Sequence, residues 1–170
     1  MIWRRSILLS LLTVTGLALE TSVMGRLTLF GVKPELLLLM TVALAMGEGP
    51  EVGATAGFVM GLMTDLVVPQ PQGVYALTLT VVGYAVGRVR AQLQTPSAWL
   101  PIGMVFVSTV AGVAFYGSFN ILLGQGSIGL VGVIRNAGLA ALYNALLTPF
   151  VFPLVRGLAA HLRPAGVVTR

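Results

Sequence analysis

The chain has 170 residues, of which 56% are hydrophobic and only 9% are charged, and its formal net charge is +5. A soluble domain carries about a quarter charged residues, so this chain could not cover a globule with polar surface. The composition excludes an ordinary soluble domain and predicts an all-α polytopic membrane protein, one integral-membrane domain over residues 1–170. The absence of cysteine excludes disulfides and thiolate metal sites. Basic residues are scattered at the ends of apolar runs, which argues against nucleic-acid binding.

Six apolar stretches predict a six-helix bundle, at approximately 6–24, 35–46, 51–68, 74–87, 100–123 and 130–155. A helix needs about 20 residues to cross a hydrocarbon core of ~30 Å. The stretches 35–46 and 74–87 are shorter than this, so we expect two short buried helices flanked by non-helical backbone. The opening MIWRRSILLSLL is similar to a signal peptide, but no small-residue cleavage site follows it. We therefore interpret it as the start of an uncleaved first helix.

The distribution of basic residues predicts the orientation in the membrane. With the N-terminus in the cytoplasm, the cytoplasmic ends and loops carry Arg4, Arg5, Arg88, Arg90, Arg156, Arg163 and Arg170. The outer side then carries Arg26, Lys33 and Arg135. Because cytoplasmic loops hold the excess of basic residues in membrane proteins, this distribution predicts that both termini are cytoplasmic.

Motifs that could carry chemistry are weak. The run GQGSIG at 124–129 has the spacing of a dinucleotide-binding loop, but it joins two apolar helices without a preceding strand, so we interpret it as a turn. Glu48 and Glu51 flank Gly49-Pro50 and are interpreted as solvated helix ends. His161 has no ligand partner at a useful spacing. The sequence therefore predicts no enzyme activity, no metal and no cofactor.

Three glycines follow one another at intervals of four in GATAGFVMGLMTD, at positions 53, 57 and 61. Residues four apart lie on one face of a helix, so Gly53, Gly57 and Gly61 form a smooth groove with Phe58 beside it. Helices in lipid associate through close packing at small residues. The groove is therefore an internal packing seam, a docking site for the transmembrane helix of another protein, or each of these along different parts of the stripe.

Asp65 continues the same helical stripe toward its outer end. A charged side chain within the membrane is costly and faces the bundle interior with a partner. We hypothesise an outer polar cluster in which Asp65 pairs with Arg135, with Glu20 nearby and with Arg26 and Lys33 as rival partners. The alternative is a neutral Asp65 that is hydrogen-bonded to backbone or hydroxyl groups.

Several short motifs resemble those of the MreD family of bacterial rod shape-determining membrane proteins. The resemblance covers essentially the whole chain and is carried by GVKPELLLL at 31–39, by Gly57-Phe58 with Gly61-Leu62 and Asp65, by Gly73, Ala76-Leu77 and Tyr84, and by NALLTPFVFPL at 144–154. Glu35 departs from the pattern, because aspartate or asparagine is expected after the proline.

The resemblance implies a non-enzymatic scaffold of the machinery that builds the cylindrical cell wall, located in the bacterial inner membrane. It implies binding to MreC, which has a single membrane helix and an extracytoplasmic domain. Through MreC it implies an indirect or weaker association with the MreB filament and with the glycosyltransferase RodA and its partner transpeptidase.

Two other functions stay open at this stage. The family is similar in fold to the substrate-binding subunits of energy-coupling-factor vitamin transporters, so a vitamin binder with its site near Asp65, Glu20 and Arg135 is the main alternative. Against it, the outer loops offer few aromatic side chains for stacking, and Tyr75 is the main one. An ion or proton transporter that uses Asp65 and Glu20 is the third possibility.

Overall fold

In the computed structural model, the described residues are 14–18, 20, 31–68, 73–93, 99–124 and 129–160, the side chains of the last two residues excepted. Within these ranges the chain forms five helices: α1 (Leu36–Glu48), α2 (Pro50–Val67), α3 (Val74–Gln92), α4 (Leu100–Leu122) and α5 (Leu130–Ala160). Residues 14–18 and 20 are also helical, and most of the predicted first stretch, 6–24, lies outside the described residues. The described architecture is all-helical, as the sequence predicts.

Helix α1 lies at the centre of the structure. Its sequence LLLLMTVALAM, residues 36–46, is apolar on all sides, and every one of these residues is buried. A helix that is hydrophobic all round needs to be enclosed by protein or lipid on every face. With 13 residues α1 is only about 20 Å long. The prediction of a short buried helix at 35–46 is therefore confirmed.

Helices α1 and α2 are joined by a single residue, Gly49. Its φ of 98° lies in the left-handed region that glycine adopts without steric cost. Pro50 occupies the first turn of α2, where a missing N–H is harmless, and Glu51 follows it. An acidic side chain in the first turn interacts favourably with the helix dipole. The chain therefore reverses direction here with almost no loop.

Helix α3 differs from the prediction of a short buried helix at 74–87. It has 19 residues and continues to Gln92, so Arg88 and Arg90 are helical. One of its sides is exposed and includes Leu77, Val81 and Tyr84. The predicted boundary at 87 lies directly before Arg88, where the apolar run ends. Arginine is in fact a good helix former, and the charged end extends beyond the apolar part.

The other helices surround α1 in chain order. Helix α2 packs against α1 and α3, α3 packs against α4, and α5 packs against α4 and α1. On another side of α1, Gly16 of the N-terminal helical stretch lies against Leu37 and Met40. The described helices are therefore arranged as an enclosure around one central helix.

The outer faces of the enclosure are apolar. Exposed side chains include Phe58 on α2, Val81 on α3, Val107 on α4 and Leu146 on α5. Two helices, Leu100–Leu122 and Leu130–Leu158, are long and apolar enough to cross a membrane, and only 22% and 33% of their most apolar windows are buried in the structure. A core helix of a soluble protein would be mostly buried. These exposed apolar faces are therefore suited to contact with lipid.

Candidate functional site

The three glycines of α2 form a seam with α3. A Cβ atom added to Gly53 would lie 2.6 Å from the carbonyl oxygen of Gly83, and one added to Gly57 would lie 2.6 Å from the carbonyl carbon of Leu79. A Cβ at Gly61 would lie 2.7 Å from the nitrogen of Ala76. All three distances are shorter than side chains allow, so only glycine permits the two backbones to approach this closely.

This seam decides between the two interpretations of the glycine groove. Gly53, Gly57 and Gly61 are buried against a helix of the same chain, so the groove is an internal packing seam. These three residues are not available to another protein's helix, because α3 already packs against them. Phe58 lies on the neighbouring face and is 50% exposed, outside the seam.

Asp65 is buried near the end of α2 and binds the start of α3. Its Oδ2 atom accepts hydrogen bonds from the backbone N–H groups of Gly73 and Ala76, both at 3.0 Å. The first N–H groups of a helix have no partner within the helix. Asp65 thus caps α3 from the preceding helix. These hydrogen bonds to backbone groups are the contacts that the alternative names, and the hypothesised partner Arg135 lies at an exposed position on α5.

Glu20 performs a similar role at the start of α1. Its Oε2 atom accepts a hydrogen bond of 3.2 Å from the backbone N–H of Leu37. Because α1 begins inside the protein, this N–H group cannot rely on water. The carboxyl group also lies at the positive end of the α1 dipole. Glu20 therefore fastens the N-terminal helical stretch to the central helix.

Asn144 of α5 holds the same end of α1 through its side-chain amide. Its Oδ1 accepts a hydrogen bond from the N–H of Glu35, and its Nδ2 donates to the carbonyl oxygen of Glu35, each at 3.1 Å. The Nδ2 group also donates to the hydroxyl of Thr109 on α4, at 3.1 Å. Asn144 and Thr109 are completely buried. One amide therefore joins three helices.

Glu35 is also bound through its carboxyl group. The hydroxyl of Tyr75, on α3, donates a short hydrogen bond to Oε2 of Glu35. The ring of Tyr75 packs edge-on against Tyr116 of α4, with 5.4 Å between the ring centres. Side chains from every described helical segment except α2 thus meet at the start of α1. We call Glu20, Glu35, Tyr75, Thr109 and Asn144 the α1 cap cluster.

The α1 cap cluster connects helices through hydrogen bonds. Among the described residues, no buried side-chain nitrogen or oxygen lacks a hydrogen-bond partner. The same part of the chain contains no group of three His, Cys, Asp or Glu side chains that could hold a metal ion. A satisfied hydrogen-bond network fixes the relative positions of the helices that supply it.

The sequence reasoning found only part of this cluster. Glu20 was expected near the outer end of the bundle, but with Asp65 and Arg135 as neighbours instead of the start of α1. Asn144 and Glu35 are predicted to matter only because they lie in the motifs that carry the family resemblance. The local sequence signal for them is Glu35, after Pro34 and directly before an apolar run, and a single asparagine within the apolar sequence ALYNALL. Asn144 is buried and Glu35 is half-buried, and polar groups in such places require partners.

The comparison with known protein families identifies the chain. The family model of the rod shape-determining protein MreD matches residues 2–158, nearly the whole chain. The chain belongs to the MreD family. No significant match is found among curated proteins or among solved structures.

Membership of the MreD family defines the general role of the protein. The family acts in rod-shape determination and consists of membrane proteins, in agreement with the two long apolar helices. It is a family of shape-determining structural proteins and not a known enzyme family.

Proposed function

We propose that this protein is a non-enzymatic scaffold of the bacterial cell-elongation machinery in the cytoplasmic membrane. It binds MreC and thereby helps couple MreB filaments to the peptidoglycan synthase pair of RodA and its transpeptidase. The observation that carries the proposal is the family match over 2–158. In the described structure, Asp65 and Asn144 are buried polar side chains that join one helix to another. Such a protein acts through the surfaces that it presents to partners.

The proposed arrangement in the membrane is six spans with both termini in the cytoplasm. Helices α3 and α5 carry Arg88, Arg90 and Arg156 near their C-terminal ends, and Arg135 lies near the start of α5. The exposed Trp99 stands immediately before α4, a position typical of aromatic side chains at a membrane surface. These positions support a cytoplasmic location for the C-terminal ends of α3 and α5. Within this proposal, the bundle is similar in fold to the substrate-binding subunits of energy-coupling-factor transporters.

A vitamin-binding subunit is the second candidate because acidic and aromatic side chains meet in the α1 cap cluster. The contacts within the cluster disfavour it. Tyr75, the aromatic side chain best placed for stacking on a ligand, is buried, packs on Tyr116 and donates its hydroxyl to Glu35. A ligand would have to break these contacts before it could bind.

The test is affinity purification of the tagged protein from its native membranes in a mild detergent, followed by mass spectrometry. We expect recovery of a single-span protein with an extracytoplasmic domain, together with wall synthases. Recovery of a transmembrane coupling subunit with paired ATPases would overturn the scaffold proposal in favour of the transporter.

Two variants test whether the recovery of partners depends on the folded bundle. Gly57→Leu places a large side chain against the backbone of α3 and should abolish partner recovery together with bundle integrity. Gly138→Ala is the matched control, because an added Cβ at this position meets no atom within 4 Å. The control should recover the same partners as the wild type.

A further inference from the structure

The outward face of α5 carries a regular apolar stripe. Leu142, Leu146, Phe150 and Leu154 follow at intervals of four, and each is between 57% and 73% exposed. At this spacing the four side chains lie along one side of the helix. We call these four residues the α5 stripe. Lipid chains could cover it as well as protein could, so the stripe alone does not identify what binds there.

Two prolines interrupt the hydrogen bonding beside the stripe. Pro149 and Pro153 lie inside α5, and both are exposed. Proline has no N–H group, so the helical hydrogen bonds to the carbonyl oxygens of Ala145 and Pro149 are missing. A carbonyl oxygen in a helix points toward the residue four positions later. The carbonyl oxygen of Ala145 is therefore directed to the exposed side of α5 on which Pro149 lies.

The chain's own hydroxyl groups do not replace the missing donor. Thr148, the residue before Pro149, donates its hydroxyl to the carbonyl oxygen of Asn144, at 2.7 Å. None of the side-chain hydrogen bonds in the described residues ends on the carbonyl oxygen of Ala145. In other membrane helices, neighbouring helices, hydroxyl groups, ordered waters and local 3₁₀ or π adjustments satisfy the backbone groups that proline frees. Residues 130–160 form one continuous α-helix without a 3₁₀ or π segment.

The depth of Ala145 makes the missing donor important. Exposed Arg135 and Arg156 lie on either side of residues 136–155, a stretch of about 20 residues that matches a ~30 Å hydrocarbon core. Ala145 is midway between the two arginines. Water does not reach this depth, and lipid chains contain no hydrogen-bond donor, so a free carbonyl oxygen here is unfavourable.

We propose, on the basis of the proposed scaffold function, that the α5 stripe together with Pro149 is the docking site for the transmembrane helix of the partner. The helix that fits has apolar side chains against the stripe and a hydroxyl or amide donor near the middle of the membrane, opposite the Ala145 carbonyl oxygen. The exposed faces of α2 and α4 also carry apolar side chains, but neither helix has a proline beyond its first turn. The donor requirement therefore distinguishes α5 from them.

Disulfide crosslinking tests the position of this helix. The natural chain has no cysteine, so single cysteines can be introduced at Leu146 and Phe150, and control cysteines at Phe58 on α2 and Val107 on α4. Each variant is co-expressed with MreC that carries single cysteines along its membrane helix. We expect crosslinks from the two α5 positions, repeating every three to four residues along MreC, and at least tenfold weaker crosslinks from the controls. Crosslinks mainly from the controls, or between two copies of this chain, would overturn the proposal.

Pro149→Ala tests the hydrogen bond itself. Alanine restores the N–H that bonds the Ala145 carbonyl oxygen, so the partner's donor is no longer needed. A hydrogen bond between membrane helices contributes on the order of 1 kcal/mol, so recovery of MreC should fall about threefold to tenfold, with unchanged or higher thermal stability of the isolated protein. Unchanged recovery would refute the role of the carbonyl oxygen. If the wild type recovers no MreC, the proposed function itself has failed, a result distinct from crosslinking at another face.

Discussion

The seam between α2 and α3 gives the sharpest stability prediction, through Gly57→Ala. Alanine in place of glycine favours a helix by about 1 kcal/mol, so an unhindered substitution should stabilise the protein. At Gly57 the new Cβ would lie 2.6 Å from the Leu79 carbonyl carbon, whereas ordinary contact begins at 3.4 Å. The two helices must therefore separate by at least about 0.8 Å, the difference between these distances, because the Leu79 carbonyl oxygen lies closer still.

The cost of this separation exceeds the gain in helix propensity. Gly53 and Gly61 belong to the same seam, so their contacts with α3 loosen as well, and a gap of this size forfeits about a quarter to a half of each contact energy. Overpacking typically costs about 1–3 kcal/mol. Gly138→Ala gains the helix propensity without a clash and serves as the control.

Thermal unfolding in detergent measures the difference between these two variants. For a chain of this size, about 1 kcal/mol shifts Tm by about 2–4 °C, so Gly57→Ala should unfold about 2–12 °C below Gly138→Ala. If Gly57→Ala unfolds at the same temperature as the control or above it, the close approach of α2 and α3 is not what stabilises this part of the bundle.

Three further predictions concern the polar contacts, and thermal unfolding measures each of them. Asp65→Asn keeps an oxygen that accepts both N–H groups of α3, whereas Asp65→Ala leaves two buried donors unpaired and should cost about 1–3 kcal/mol; equal loss in both variants would instead indicate that the charge matters. Asn144→Asp should be at least as destabilising as Asn144→Ala, because a carboxylate oxygen would then face the carbonyl oxygen of Glu35. An unchanged Tm for Asn144→Asp would contradict this hydrogen-bond network. In a double-mutant cycle, Tyr75→Phe and Glu35→Gln should show a coupling of about 0.5–3 kcal/mol, and strictly additive effects would show that the Tyr75–Glu35 bond contributes nothing.

The central helix illustrates what the sequence is able to predict. Residues 36–46 are apolar on every side and too few to span a bilayer, and these two properties lead directly to a buried short helix. The glycine spacing in α2 likewise predicts a smooth face for close packing. Both conclusions depend only on the order of residues along one helix, and the sequence gives that order completely.

The sequence does not predict which residues these surfaces contact, because the contacts depend on which helices become neighbours in the fold. Gly83, which faces Gly53 across the seam, is one of 21 glycines in the chain, and nothing local marks it as a partner. The same holds for Asn144 and Glu35, which are separated by 109 positions. Charge alone pairs Asp65 with Arg135 in the sequence, whereas in the structure Asp65 accepts hydrogen bonds from backbone N–H groups at the start of α3.

The distance between Glu35 and Asn144 along the chain has a consequence for biogenesis. During synthesis the segment that becomes α1 leaves the ribosome long before Asn144, 109 positions later. Until that asparagine arrives, the backbone groups of Glu35 lack the amide that pairs with them in the finished protein. A nascent chain truncated before Asn144 is therefore expected to be a substrate for membrane proteases, and completion of the last helix is the step that closes the bundle.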